Sequence, residues 1–320
     1  MGSSPILPII TLTMNPALDV STSAEKVKPQ HKLRCDPPQV AAGGGGVNVA
    51  RAVIALGGAA IPVYNVGGLT GERYRLLLHD EGIPGIPLVI RGETRESITV
   101  DDRAGGGQYR FVFPGAIVSP EESRRITDTA VGLLQPGSYL VVSGSLPPGT
   151  PDGFYAEVVA RAHERGAYCA IDASGPALAQ AISAGPDLVK PSLRELRELI
   201  GRELETPQEQ DAAMLEVLAG SRAGAMALTL GSEGAALATR DGVLRAPAFP
   251  VTERGTVGSG DAFLAAFVLR TVQGRTAADA LTAALAAGAA VASSHGSTAP
   301  HRELVEHLEQ ERAPRSPDPA

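Results

Sequence analysis

Only two of the 320 residues are cysteine, Cys35 and Cys169, and they lie far apart in the chain. So few thiols exclude a disulfide framework and fit a reducing, cytoplasmic setting. Each is expected to be an ordinary packing residue, the usual state of a free cysteine. No apolar run is long enough to span a bilayer, and Met1–Pro8 lacks the basic start and long apolar stretch of a signal peptide. The six histidines show no metal-ligand spacing, which argues against a zinc site. No Gly-Lys dipeptide occurs, so there is no P-loop to hold a nucleotide. No dinucleotide-type glycine pattern follows the first strand, and an oxidoreductase reading fails on that ground. Positive charge is also in short supply: 28 basic against 35 acidic residues leave a formal charge of −7. That balance disfavours a nucleic-acid or membrane surface, so any anionic ligand needs a local basic pocket.

Glycine, by contrast, is abundant at 37 residues. Much of it falls in short clusters rather than in a Gly/Ser linker, which points to tight turns and to close backbone approach to a ligand. With 43% hydrophobic and 20% charged residues, the chain reads as a soluble globular protein able to bury a large core. Strands are expected at Ile6–Met14, Ile61–Val66, Tyr139–Val142, Tyr168–Ile171, Asp187–Val189 and Ala225–Leu230. Helical spacing falls at Asn48–Leu56, Gly71–Asp80, Pro151–Arg165, Gly175–Ser183 and Ser192–Ile200. This alternation predicts an α/β fold with a mainly parallel sheet covered by helices on both faces. Two extended stretches, 19–40 and 94–113, break the rhythm and are expected to form a small antiparallel sheet projecting as a lid. A hairpin, Ala235–Thr239 with Gly242–Ala246, precedes two alanine-rich helices at Asp261–Val272 and Ala277–Ser293. No repeat or flexible linker divides the chain, so a single domain over 1–320 is expected, with a frayed tail at 312–320.

The strongest chemical motif is Gly255-Thr256-Val257-Gly258-Ser259-Gly260-Asp261, which runs directly into an apolar helix. Bare glycine amides at a helix N-terminus, with its partial positive charge, suit an anion such as a transferring phosphoryl group. Asp261 stands where a carboxylate could take a proton from an attacking hydroxyl. The plainer alternative is that Ser259 or Asp261 only caps the helix. The second motif, Gly43-Gly44-Gly45-Gly46-Val47-Asn48, leads into a helix that stops at Gly57–Gly58, which favours a ligand-contacting turn over a spacer. Asn48 offers a donor and an acceptor suited to sugar hydroxyls, and Asp19 a carboxylate for two more, or a turn former. Lys26, Lys28, Lys32, Arg34, Arg95 and Arg110 gather in the lid segments; arginine grips phosphate with two prongs, whereas solvated charge is the bland reading. Two late loops, Lys190–Glu195 and Thr229–Gly234, follow strands and could wrap a nucleotide.

Taken together, Gly43–Asn48 and Thr256–Asp261 resemble the N- and C-terminal signatures of the PfkB (ribokinase-like) sugar kinases. The likeness extends over roughly residues 9–311. Thr11-Leu12-Thr13, His31–Cys35, Gln108–Phe111 and Ser143–Gly149 are similar to the family's 6-phosphofructokinase branch. The resemblance implies a three-layer α/β/α sandwich with a β-sheet lid. It implies ATP-dependent transfer of a phosphoryl group, with Mg²⁺, to a sugar phosphate, fructose 6-phosphate becoming fructose 1,6-bisphosphate. By motif position Asp261 would be the base, with Gly258, Ser259 and Gly260 forming the anion hole. Asp19, Gly44, Gly45 and Asn48 would bind sugar hydroxyls. Arg95, Arg110, Lys32 and Ser145 would meet the sugar's phosphate or neighbouring groups. Lys190, Ser192, Thr229, Gly231, Gly234 and Thr256 would line the ATP site, and Glu195 would act on Mg²⁺ through water. Lids of two subunits would pair, giving a homodimer.

Two features depart from the family pattern. Ser192 stands where asparagine is usual. Ser293–Ser297, near where relatives often bind a monovalent cation, lacks an asparagine, which leaves K⁺ use open. The alternatives are 1-phosphofructokinase, tagatose-6-phosphate kinase and a non-catalytic sugar-phosphate sensor. The last would be expected to have lost Asp261 or the anion-hole glycines, and both are present.

Overall fold

The computed structural model describes residues 7–255, 257–294 and 299–312. The chain opens with β1 (Ile9–Thr13), β2 (Ala17–Ala24), β3 (Gln39–Gly43), α1 (Gly45–Ala55), β4 (Ala60–Val66) and α2 (Gly68–Asp80). Next come β5 (Ile86–Val89), β6 (Arg95–Asp102), β7 (Gly107–Val112), α3 (Pro120–Gly132), β8 (Tyr139–Ser143), α4 (Phe154–Glu164), β9 (Tyr168–Asp172) and α5 (Gly175–Ala184). The remainder is β10 (Leu188–Val189), α6 (Leu193–Ile200), α7 (Pro207–Ala219), β11 (Ala225–Thr229), β12 (Ala235–Thr239), β13 (Gly242–Ala246), α8 (Ser259–Val272), α9 (Ala277–Ala292) and α10 (Arg302–Arg312).

Nine strands form the central sheet in the order β13-β12-β11-β10-β9-β8-β1-β4-β5. From β5 to β11 every pairing is parallel, and only the β12–β13 hairpin turns back. β1 is apolar without alternation because it lies mid-sheet under helices on both sides, and all five of its residues are buried. Its successive side chains serve opposite layers. Ile10 and Leu12 pack with Ile126, Val158, Leu178 and Met214 from α3, α4, α5 and α7. Ile9 packs with Val53, Phe263, Phe267 and Leu285 from α1, α8 and α9. Helix–sheet–helix layering follows, as expected. No helix among the described residues is long and apolar enough to cross a membrane.

The second sheet, ordered β3-β2-β6-β7, is the lid. It is mixed rather than antiparallel: β2 and β6 pair in parallel, flanked by antiparallel β3 and β7. The reason is topological. Both middle strands leave the same edge of the core, after β1 and after β5, so they run outward side by side. Period-two alternation divides the lid into a polar face (Asp19, Ser21, Ser97, Thr99, Asp101, Gln108, Arg110) and an apolar one (Val20, Ile98, Val100, Tyr109, Phe111).

Three helices escape the apolar pattern. α3 and α7 carry few core residues but begin with capping boxes, Ser119–Glu122 and Thr206–Glu209, each with proline in the first turn. α10 buries only Val305 and Leu308. The expected frayed tail begins too early, because Arg312 closes α10 with its guanidinium 3.8 Å over the Phe249 ring. Residues 313–320 lie outside the described residues, as do Ile6, Thr256 and His295, Gly296 and Ser297.

Candidate active site

The site lies off the carboxyl ends of the parallel strands, where an open α/β sheet presents loops and helix N-termini together. α8 begins two residues earlier in the motif than the apolar pattern suggests, at Ser259. Its N-cap is Gly258, whose φ of 83° is a left-handed conformation that a side chain would disfavour. The first amides of α8 lie at the positive end of its dipole. Lys190 stands against them, since a methyl group added at Gly260 would come 3.6 Å from Nζ.

Asp261 is not the helix cap that the plainer reading allowed. Its Oδ2 accepts from Asn48 Nδ2 at 2.9 Å and its Oδ1 from Ser143 Oγ at 3.3 Å. Burial, and then the Asp172 carboxylate, push it from 3.8 up to about 7, against the pull of Asn48, Lys190 and Ser143. A carboxyl titrating near neutrality is a competent proton acceptor, unlike one fully ionised by pH 5. Asn48 already engages both ends of its amide within the protein. One end holds Asp261, and the other accepts from Arg51 Nη1 at 2.7 Å.

The glycine turn before α1 owes its sequence to crowding. A Cβ at Gly43 would fall 1.9 Å from Asp19 Oδ2, and one at Gly45 would fall 2.2 Å from Ser143 Oγ. Gly43 and Gly45 thus allow Asp19 and Ser143 to approach the start of α1. Asp19 projects from the polar face of β2, and burial raises it to about 6 despite Arg95, Arg110 and Arg51.

Between this polar face and Arg254, Gly255 and Val257 lies a cavity of about 550 Å³, lined by Asp19, Ser97, Thr99 and Arg110 among others. Arg95 sits at the lid's root, donating to the Asn15 and Phe113 carbonyls, and Asn15 Nδ2 donates to Ser145 Oγ at 3.1 Å. Lys32 is exposed in the β2–β3 connection and is not among the residues lining the cavity.

The second group of expected residues also converges. Thr229 forms a parallel bridge with Ser192, its N–H donating to Pro191 O at 3.0 Å. Gly231 opens a short 3₁₀ turn that Gly234 closes. Lys190 Nζ lies 3.1 Å from Asp172 Oδ1. Burial works against its ammonium, but Asp172, Asp261 and Glu195 outweigh that and leave its pKa raised, so Lys190 keeps its proton. Ser192 caps α6 and forms a capping box with Glu195, whose Oε2 accepts from Ser192 N and Oγ, both at 2.8 Å. The free Glu195 oxygen is suited to a water, and no group of three or more potential metal ligands exists among the described residues. Such a donor set matches Mg²⁺ carried in by phosphates and keeping its waters, not a protein-built cage.

Asp172, Ser143, Asn15 and Arg51 were missed in the sequence. The signal for Asp172 was available: a lone carboxylate at the carboxyl end of the apolar run Tyr168–Ile171. Ser143 stood in Ser143–Gly149, but nothing local distinguishes it from Ser145. Arg51 looks like any arginine on an amphipathic helix.

An anion-binding helix start with a carboxyl beside it, under a lid on a doubly covered parallel sheet, is the arrangement of a ribokinase-like phosphotransferase. The chain belongs to the pfkB family of carbohydrate kinases, whose model matches residues 7–304. It is 42% identical over 300 residues to the ATP-dependent 6-phosphofructokinase isozyme 2 of Mycobacterium tuberculosis, covering 94% of this chain and 88% of that protein. Phosphofructokinase-2 from Escherichia coli is 34% identical and covers 95% of this chain and 99% of its own. Its crystal structures superpose with a TM-score of 0.91 for the complex with potassium and 0.89 for the complex with fructose-6-phosphate.

Proposed function

We propose that this chain is an ATP-dependent 6-phosphofructokinase that converts fructose 6-phosphate to fructose 1,6-bisphosphate. The observation that carries the reading is Asp261, held by Asn48 and Ser143 and raised to about 7, at the N-terminus of α8. The sugar's 1-hydroxyl attacks the γ-phosphorus in line. The new O–P bond forms as the bond to the β-phosphate oxygen breaks, and the hydroxyl proton passes to the Asp261 carboxylate. ADP leaves on the far side. The amides of Gly258, Ser259 and Gly260, with Lys190, face the charge that spreads over the transferring group. Lys190, Ser192, Thr229, Gly231 and Gly234 flank the nucleotide. Asp19 accepts from sugar hydroxyls, while Arg95, Arg110 and Ser145 stand toward the phosphate end. Glu195 would hold Mg²⁺ through water, and the ion would neutralise the nucleotide's phosphate charge. Turnover measured with and without K⁺ tests whether the chain uses a monovalent cation.

The apolar lid face supports a homodimer. Tyr109 and Phe111 are 44% and 51% exposed on the face opposite the cavity, more apolar surface than a small four-stranded sheet leaves to water without a partner.

A coupled assay with ATP and, in turn, fructose 6-phosphate, fructose 1-phosphate and tagatose 6-phosphate tests the assignment. Fructose 6-phosphate is expected to give the highest kcat/KM. A preference for fructose 1-phosphate, or no turnover of any of the three, would overturn it.

A further inference from the structure

Asn48 and Asp261 meet through a single hydrogen bond between residues 213 apart in sequence. An asparagine amide has a donating and an accepting end of nearly the same shape, so something must decide which end faces the base. Arg51, one helical turn after Asn48, makes that decision. Its Nη1 donates to Asn48 Oδ1 at 2.7 Å, which leaves only the NH₂ end for Asp261. Reversed, the amide would turn its oxygen on the ionised base and its hydrogens on a guanidinium.

Arg51 cannot turn away, since its remaining donors are occupied. Nε meets Glu81 Oε2 at 2.7 Å, and Nη2 meets the Ala42 carbonyl at 2.7 Å. Only 8% of the residue is exposed. Ala42 belongs to β3, so the same guanidinium fastens the lid's root to the helix that carries Asn48. An ion pair tying α1 to Glu81 at the end of α2 would need neither the Ala42 nor the Asn48 contact.

We infer that Arg51 is a positioning residue for phosphoryl transfer, acting through Asn48 to aim the Asp261 carboxylate. The inference rests on the kinase reading above.

The test is Arg51→Met in the full chain, with kcat, both KM values and the pH dependence of kcat measured. The groups facing Asp261 are Asn48 from α1, Ser143 from β8, Asp172 from β9 and Lys190 after β10, with Glu195 acting on the last two. All are retained in the variant, so a change reports the amide. Turnover is expected to fall about 10-fold or more, part of the ~10²–10⁴ that a positioned base contributes. KM for ATP is expected to stay within about twofold, and the acid limb of kcat to shift upward in pH as the base loses its donor.

Glu81→Gln weakens the ion pair but keeps the Arg51–Asn48 bond, so it is expected to lower Tm without moving the acid limb. If Arg51→Met loses Tm in the same way while its kcat and acid limb stay unchanged, Arg51 is only a strut and the inference fails. Should Arg51→Met not fold, Arg51→Lys is read by the same criteria, because one ammonium cannot reach Glu81, Ala42 and Asn48 together. Asp261→Asn run alongside separates the two readings: full turnover there would sink the base itself, whereas its loss with a normal Arg51→Met would sink only the role of Arg51.

Discussion

Replacing Asp261 with asparagine should make the protein more stable and nearly inert at the same time. The amide keeps an acceptor for Asn48 and stays within reach of Ser143, so shape and packing are preserved while the charge goes. The pKa shift from 3.8 to about 7 corresponds to roughly 4 kcal/mol against the ionised form at about 1.4 kcal/mol per pH unit. The carboxyl is only half-buried and opens onto the cleft, so solvent screening leaves ~1–2 kcal/mol of this as a folding penalty. Because the folded-state value lies above the unfolded one, the penalty is absent below about pH 4. It grows as pH rises and is complete above about pH 7.

Thermal unfolding of the two proteins across pH 4–8 is the assay. The curves should coincide near pH 4 and separate by about 2–4 °C at pH 8, the variant being higher. Turnover at pH 8 should fall by about 10³-fold or more, while ATP binding, followed by calorimetry, survives. A Tm difference that does not depend on pH would refute the desolvation argument. Near-normal turnover would refute the base.

Asp19 is raised to about 6 chiefly by burial, so KM for the phosphosugar should climb as pH falls through 6, with KM for ATP flat. Asp19→Asn should abolish that dependence and raise the sugar KM ~10–100-fold, since hydrogen bonds to a charged group contribute about 1.5–3 kcal/mol each; a variant with unchanged sugar KM would refute the contact. Phe111→Asp places a charge on the apolar lid face and should convert a dimer to a monomer by light scattering. A parent chain that is already monomeric would refute pairing through the lid.

The central sheet was legible because its strands are short apolar runs separated by amphipathic helices, and that pattern is set by burial alone. The lid's strands were legible as segments but not in direction. Direction depends on where β2 and β6 leave the core, which no local residue encodes. α3 and α7 escape the apolar pattern for a different reason: their buried faces are thin, and their starts are marked by capping boxes and prolines instead.

At the site, the glycine motifs exposed Asp261 and the start of α1, since close approach constrains sequence. Partnerships were illegible. Asn48 was read as a sugar contact because its amide suits hydroxyls equally well. Its capture by Arg51 and Asp261 depends on side chains brought together only by the packing of α1 against α8. Ser192 departs from the family's usual asparagine, and its hydroxyl closes the turn with Glu195 through ordinary capping chemistry.

The bond between α1 and α8 also bears on how the molecule comes into being. Asn48 is synthesised 213 residues before Asp261, and until α8 docks the carboxylate has neither Asn48 nor Ser143 to hold it. A chain cut short before α8 therefore lacks the group that the kinase reading makes its base.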